Sequence, residues 1–202
     1  MAGSQVTLRE GDVLIVTDMQ NDFLPGGALA VPQGDSIIGA LNDSVDAFVS
    51  AGLTVIMTRD WHPPDHCSFK SRGGPWPEHC VRGTAGADFS PLMHRPPDAI
   101  IISKAADPNK EQYSAFNGRD AAGRTLGENL RILKAARAFI GGVATEYCVF
   151  NTGRDILREK YSLFVFTDGV KAIDVLQGDG EKALKELEKD GAVLIRTEEI
   201  RK

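Results

Sequence analysis

Cysteine is scarce in this chain. Three residues, Cys67, Cys80 and Cys148, occur among 202, an odd number at no framework spacing. That excludes a disulfide-stapled scaffold and leaves free thiols in a reducing compartment. Long hydrophobic runs are missing too: none approaches the ~20 residues that span a bilayer. The polar N-terminus, MAGSQVTLREGD, lacks the apolar core of a secretory signal, so a cytoplasmic location is expected. Positive charge is in deficit, 23 Lys and Arg against 28 Asp and Glu, for a formal net charge of -5 with no basic block. Nucleic acid and anionic membrane surfaces are therefore not expected partners. Repeats and low-complexity linkers are absent. What remains is an ordinary globular composition, 42% apolar and 25% charged, at a length that suits one domain over residues 1–202.

Short apolar runs alternate with helix-like segments. Residues 12–17 (DVLIVT), 53–58 (LTVIMT), 99–103 (AIIIS), 138–143 (AFIGGV), 162–167 (SLFVFT) and 192–195 read as strands. Residues 36–51, 126–137, 146–160 and 180–189 read as helices. Unbroken β-branched runs separated by helices predict parallel strands buried on both faces, hence a three-layer α/β/α fold around a mostly parallel six-stranded sheet. The span 60–98 breaks the pattern. It is rich in Pro, Gly, His and aromatic residues and too long for a plain connection, so it reads as a functional loop insertion.

In open parallel sheets ligands bind beyond the carboxyl ends of the strands. Asp18, Asp60 and Lys104 follow the first, second and third predicted strands, and Cys148 lies just past the fourth. A single polar residue after a strand is most often a turn former or a helix cap. A thiol, a lysine and two carboxylates at one sheet edge are poorly explained as four separate caps. At the start of a helix, unpaired backbone N–H groups and the positive dipole end favour a thiolate at Cys148. Val143 and Ala144 form the connection just before it, and their amides can point into the same space, which suits an oxyanion hole. The bland reading of any one cysteine is a small buried apolar residue, and it is adopted for Cys67 and Cys80. A working Cys148 needs a proton acceptor. All four histidines fall between residues 62 and 94, so a Cys-His pair in space stays open, while Asp18 supported by Lys104 offers a second route.

The loop holds DWHPPDHCSF (60–69) and GPWPEHC (74–80). Asp60-x-His62 places a carboxylate and an imidazole on one side of an extended chain, with His66 and His79 further on. Two imidazoles and a carboxylate form a common shell for zinc, iron or manganese. Solvated loop histidines are the alternative. Phe23 and Trp76 would either cover the loop's apolar underside or sandwich a flat aromatic substrate. His94 and Trp61 read as structural.

These residues carry a resemblance. TDMQNDFLPGGAL (17–29), TRDWHPPDHCSF (58–69), GPWPEHCVRGTAGADF (74–89), SKAADPNKEQYSAF (103–116) and GGVATEYCVFNTGRD (141–155) span most of the chain in order. They resemble the nicotinamidases of the isochorismatase-like cysteine hydrolases. The resemblance implies that fold and an amidohydrolase converting nicotinamide to nicotinate and ammonia within NAD salvage. It implies Asp18, Lys104 and Cys148 as catalytic triad, and a thioester on Cys148. The amides of Ala144 and Cys148 become the oxyanion hole, with a cis bond at Val143–Ala144. It implies Asp60, His62 and His79 as ligands of one divalent metal that anchors the pyridine nitrogen, zinc being the first choice before iron or manganese. His66 matches a position that in some members ligates the metal or its water, and Ser68 lies at the edge of the same shell. Phe23 and Trp76 match residues flanking the ring. Pyrazinamide fits the same geometry, and a homo-oligomer is expected because sheets of this type often pair. Three rivals stay open: a related amidase for carbamoyl or ureido substrates, isochorismate hydrolysis, and a non-catalytic binding module.

Overall fold

The computed structural model describes residues 5–201; the first four residues of the polar N-terminal stretch, and residue 202, lie outside it. In chain order the elements are β1 (Val6–Thr7), β2 (Asp12–Thr17), α1 (Ile38–Ser50), β3 (Thr54–Asp60), β4 (Ile100–Lys104), α2 (Leu126–Ile132), β5 (Arg137–Val143), α3 (Phe150–Arg158), β6 (Ser162–Lys171), α4 (Asp179–Lys189), β7 (Val193–Ile195) and β8 (Ile200–Arg201). Six strands form one sheet in the order β4-β3-β2-β5-β6-β7, every pair parallel. None of the helices among the described residues is long and apolar enough to cross a membrane.

All six residues of β2 are buried, because both faces of the sheet are covered. Leu14 and Val16 point into a core shared with Leu41, Val45 and Phe48 of α1. Val13 and Ile15 point the other way, into a core with Leu130 of α2, Ile156 of α3 and Leu187 of α4. The period-two alternation of a strand thus serves two layers of helix at once. On α1 the buried Ile38, Leu41, Val45 and Phe48 recur at three- and four-residue steps, one face of a helix.

Several boundaries differ from the sequence reading. The helix expected over 126–137 ends at Ile132: Lys134 turns to φ 51°, and Arg137 opens β5 instead. There its guanidinium makes a two-pronged bond with the buried carboxylate of Asp12, both contacts 2.6 Å. The helix expected from residue 146 begins with a π-helical turn, Thr145–Val149, before α3. β6 continues to Lys171 through an irregularity opposite Ile140 and Gly142. β1 and β8 pair as a small second sheet that no pattern in two-residue strands could announce.

The strand order runs outward on either side of β2 and β5, so the topological switch lies between them, where open sheets form ligand crevices. Gly142 brings the two strands together there. Its φ is 120°, and a Cβ at that position would sit 2.0 Å from the Thr17 carbonyl oxygen.

Candidate active site

Strand register assembles the first half of the site. Asp60 and Lys104 are paired neighbours at the ends of β3 and β4. Asp18 follows β2 directly, with φ 51°, and Cys148 sits inside the π-helical turn after β5. Asp18, Lys104 and Cys148 are each no more than 5% exposed. The Lys104 ammonium lies at their centre. It is 2.9 Å from Asp18 Oδ2 and 3.3 Å from Cys148 Sγ, and it donates a short hydrogen bond to Asp60 Oδ1. Thr58 donates to the other Asp18 oxygen at 2.6 Å. Asp18 Oδ2, although close to Lys104, accepts no hydrogen bond of good geometry. It remains open to a proton from the thiol.

The electrostatics follow from burial. Burial alone would pull the Lys104 ammonium down, but Asp18 and Asp60 outweigh it and hold it well above its ordinary value. Burial raises the Asp18 carboxyl despite Lys104. Burial also pushes the Cys148 thiol well up, with Lys104 opposing and the two carboxylates reinforcing. The turn is π-helical, the sulfur is desolvated, and two carboxylates face it; these work against the thiolate that a helix start favours, so the group needs a base to react. None of the histidines donates to or accepts from it; Asp18 is the base within reach.

The second half comes from the loop after β3. Asp60, His62 and His79, all buried, bring one donor atom each within 4.8 Å of one another. His62 Nε2 lies 3.6 Å from Asp60 Oδ2, and neither His62 ring nitrogen has a hydrogen-bond partner among the described residues. A buried imidazole without a partner costs free energy unless something else satisfies it, and a cation does so. His79 Nδ1 lies 2.8 Å from the Pro77 carbonyl, which fixes the tautomer and leaves Nε2 for a ligand, the usual outer support of a metal histidine. Burial would raise the Asp60 carboxyl, but Lys104 and the two imidazoles hold it well below the usual carboxylate range. The donor set thus fits a divalent metal. Asp18, Asp60 and Cys148 also bring donor atoms within 4.8 Å of one another, but the Lys104 ammonium already serves as their cation.

His66 is placed differently from the three clustered ligands. Its ring lies tilted against that of His62, centroids 4.2 Å apart, but Nδ1 accepts from Ser68 at 2.7 Å and Nε2 lies 3.0 Å from the Lys110 carbonyl. Both nitrogens are committed, and Ser68 is engaged with His66. Phe23 and Trp76 line one small pocket together with Asp60, His62, His79, Ala144 and Cys148. The Val143–Ala144 peptide is cis. His94 is exposed beside Asp46, and Trp61 lies beneath the Arg59 guanidinium at 3.7 Å. All three cysteines are free.

Sequence reasoning passed over several residues of this site. Gln20, fully buried, holds Asp60 by its main chain, donating to the carbonyl and accepting from the N–H, each at 2.8 Å. Tyr113 and Tyr147 complete an aromatic wall: Trp76 Nε1 donates to the Tyr113 hydroxyl at 3.1 Å, and Trp76 meets Tyr147 edge-on at 5.1 Å. Glu111 stands at the mouth. Gln20, Thr58, Tyr113 and Tyr147 all lie inside the five quoted segments, but polar and aromatic types alone do not say which way a loop residue faces.

The isochorismatase domain model matches residues 12–199. A curated nicotinamidase of Escherichia coli is 37% identical over 198 residues, covering 90% of this chain and 92% of the relative. A pyrazinamidase of Pyrococcus horikoshii, solved in complex with zinc, is 46% identical with a TM-score of 0.85, covering 92% of this chain and 99% of its own. An L. infantum protein solved in complex with nicotinate is 35% identical with a TM-score of 0.88, covering 98% of each chain.

Proposed function

The chain belongs to the isochorismatase domain family, and from that premise we propose that it is a nicotinamidase, hydrolysing nicotinamide to nicotinate and ammonia. One observation carries the reading. A buried thiol with its base and ammonium opens on the same small pocket as a two-histidine, one-carboxylate cluster whose His62 nitrogens lack partners among the described residues. The curated relatives named nicotinamidase support the choice of substrate.

Asp60, His62 and His79 would hold the divalent metal, with zinc favoured by the donor set and by the zinc complex of the Pyrococcus horikoshii relative. When bound, the metal supplies a Lewis-acid anchor for the pyridine nitrogen. Phe23 and Trp76 hold the flat ring, which aims the carboxamide at Cys148 and removes much of the entropic barrier. Asp18 takes the thiol proton, and Sγ attacks the carbonyl carbon. The oxyanion rests on the amides of Ala144 and Cys148; losing one such donor costs about 3 kcal/mol of transition-state stabilisation. Asp18 returns its proton to the departing nitrogen, ammonia leaves, and a thioester remains on Cys148. Asp18 then deprotonates a water, which displaces the sulfur and frees nicotinate. Lys104 stabilises the anions on Asp18 and Sγ throughout. Pyrazinamide, with a ring nitrogen in the same place, is a second substrate on this reading.

Ammonia release from nicotinamide, measured on zinc-loaded wild type and Cys148→Ala, tests the proposal. Turnover by the wild type and none by a folded, metal-replete variant is expected. Appreciable release by the variant refutes covalent catalysis, and none by the wild type refutes the substrate.

A further inference from the structure

The product of amide hydrolysis differs from its substrate chiefly in charge. Ring, ring nitrogen and outline are shared, so contacts that grip the ring do not separate the two. A fixed charge at the pocket mouth does.

Glu111 supplies one. It lines the pocket that holds Asp60, His62 and Cys148, on a segment fastened across the metal-ligand loop. The Cys67 N–H donates to the Pro108 carbonyl at 2.8 Å, and His66 Nε2 meets the Lys110 carbonyl at 3.0 Å. The Ala105 N–H donates to Gln112 Oε1 at 3.0 Å, and Trp76 Nε1 to the Tyr113 hydroxyl at 3.1 Å. These ties come before and after Glu111 and fix where its backbone runs. Its carboxylate accepts from the Gln112 N–H at 3.1 Å and pairs with no cation among the described residues; the adjacent Lys110 pairs with Asp107 instead. Behind the pocket, the buried Lys104 is already shared between Asp18 and Asp60. Glu111 is exposed, yet desolvation at the pocket, offset by the Gln112 N–H and reinforced by Asp60, raises its carboxyl.

We propose that Glu111 selects ligands by charge, disfavouring a carboxylate against a neutral amide of the same shape and so promoting release of the acid product. This inference rests on the amide hydrolysis proposed above. It also assigns His66 a positioning role, since His66 ties down the segment that carries Glu111.

The measurement is the ratio of the inhibition constant for nicotinate to KM for nicotinamide, at about pH 8, well above the ordinary carboxylate range. Zinc-loaded wild type, Glu111→Gln and Glu111→Asp are compared. The ratio is expected to fall about two- to fivefold in Glu111→Gln, the size of a partly exposed charge interaction, and to recover in Glu111→Asp. Raising salt to about 1 M should lower the ratio in the wild type and leave Glu111→Gln unmoved. A change of pocket shape alters both constants together and leaves their ratio alone. An unchanged ratio in Glu111→Gln, or an equal salt effect in both proteins, overturns this inference by itself. No ammonia release by the wild type overturns the functional reading and this inference with it.

Discussion

Replacing Lys104 by methionine keeps the length and apolar stem of the side chain but deletes the charge. The loss falls on two buried carboxylates: Asp18, 2.9 Å from the ammonium, and Asp60, which receives its hydrogen bond. At an effective dielectric near 20, one such pair attracts by about 5–6 kcal/mol, most of it offset by the cost of burying the ions. Removing one partner leaves that cost uncompensated, and the net loss is about 3–5 kcal/mol. For a chain of this size the corresponding fall in Tm is roughly 6–20 °C. Chelator-treated Lys104→Met should show this by thermal and urea unfolding. A divalent cation at Asp60 replaces part of the missing charge, so saturating zinc should return about 2–3 kcal/mol at a hundredfold excess over Kd.

The Asp60 contribution to the pH dependence should also change sign, whereas that of Asp18, already raised by burial, should only grow. In the wild type Asp60 is held low. Its contribution is present above the unfolded carboxylate value and is lost as pH falls through the folded one. Without Lys104 both carboxyls are raised by burial, so their contribution is full at low pH and lost as pH rises through the folded values. A metal-free Lys104→Met within about 1 kcal/mol of wild type at neutral pH, with an unchanged slope, would refute the picture of a buried cation shared by two anions.

Other expectations rest on single contacts. Thr58→Val removes the 2.6 Å hydrogen bond that favours the Asp18 carboxylate, so the acid limb of kcat/KM should move to higher pH; an unmoved limb separates Asp18 from the rate-limiting proton transfer. His62→Ala or His79→Ala should strip bound metal, measured by elemental analysis, and raise KM while lowering kcat; full activity in either metal-free protein removes the metal from the mechanism. Tyr113→Phe frees the Trp76 indole N–H and should raise KM about two- to tenfold, the value of one hydrogen bond, with a smaller effect on kcat. Equal losses in both constants would place Tyr113 in the chemical step.

The layers of the fold were legible because burial writes itself into composition. A run such as DVLIVT has no polar face to turn outward, so it declares a strand covered on both sides. The switch-point rule then placed Asp18, Asp60, Lys104 and Cys148 at one edge without any coordinates. Ends of elements were less legible. Arg137 looked helical by propensity, and only the distant Asp12 makes it the first residue of a strand. The balance of effects on Cys148 was out of reach for the same reason: position in a helix is local, while desolvation and two facing carboxylates are not.

The sequence by itself determined the layer pattern, the edge on which chemistry must lie and the residue types that gather there. Periodicity and strand ends are consequences of covalent order, and they survive without knowledge of the neighbours. The tertiary structure alone decided that one ammonium serves Asp18, Asp60 and Cys148 together, that both His66 nitrogens are spent on Ser68 and Lys110, and that Glu111 lines the pocket with no cation partner among the described residues. These facts depend on distances between residues far apart in the chain. Hydrogen bonds and desolvation act through space over a few ångströms, and only a folded backbone sets which groups come that close.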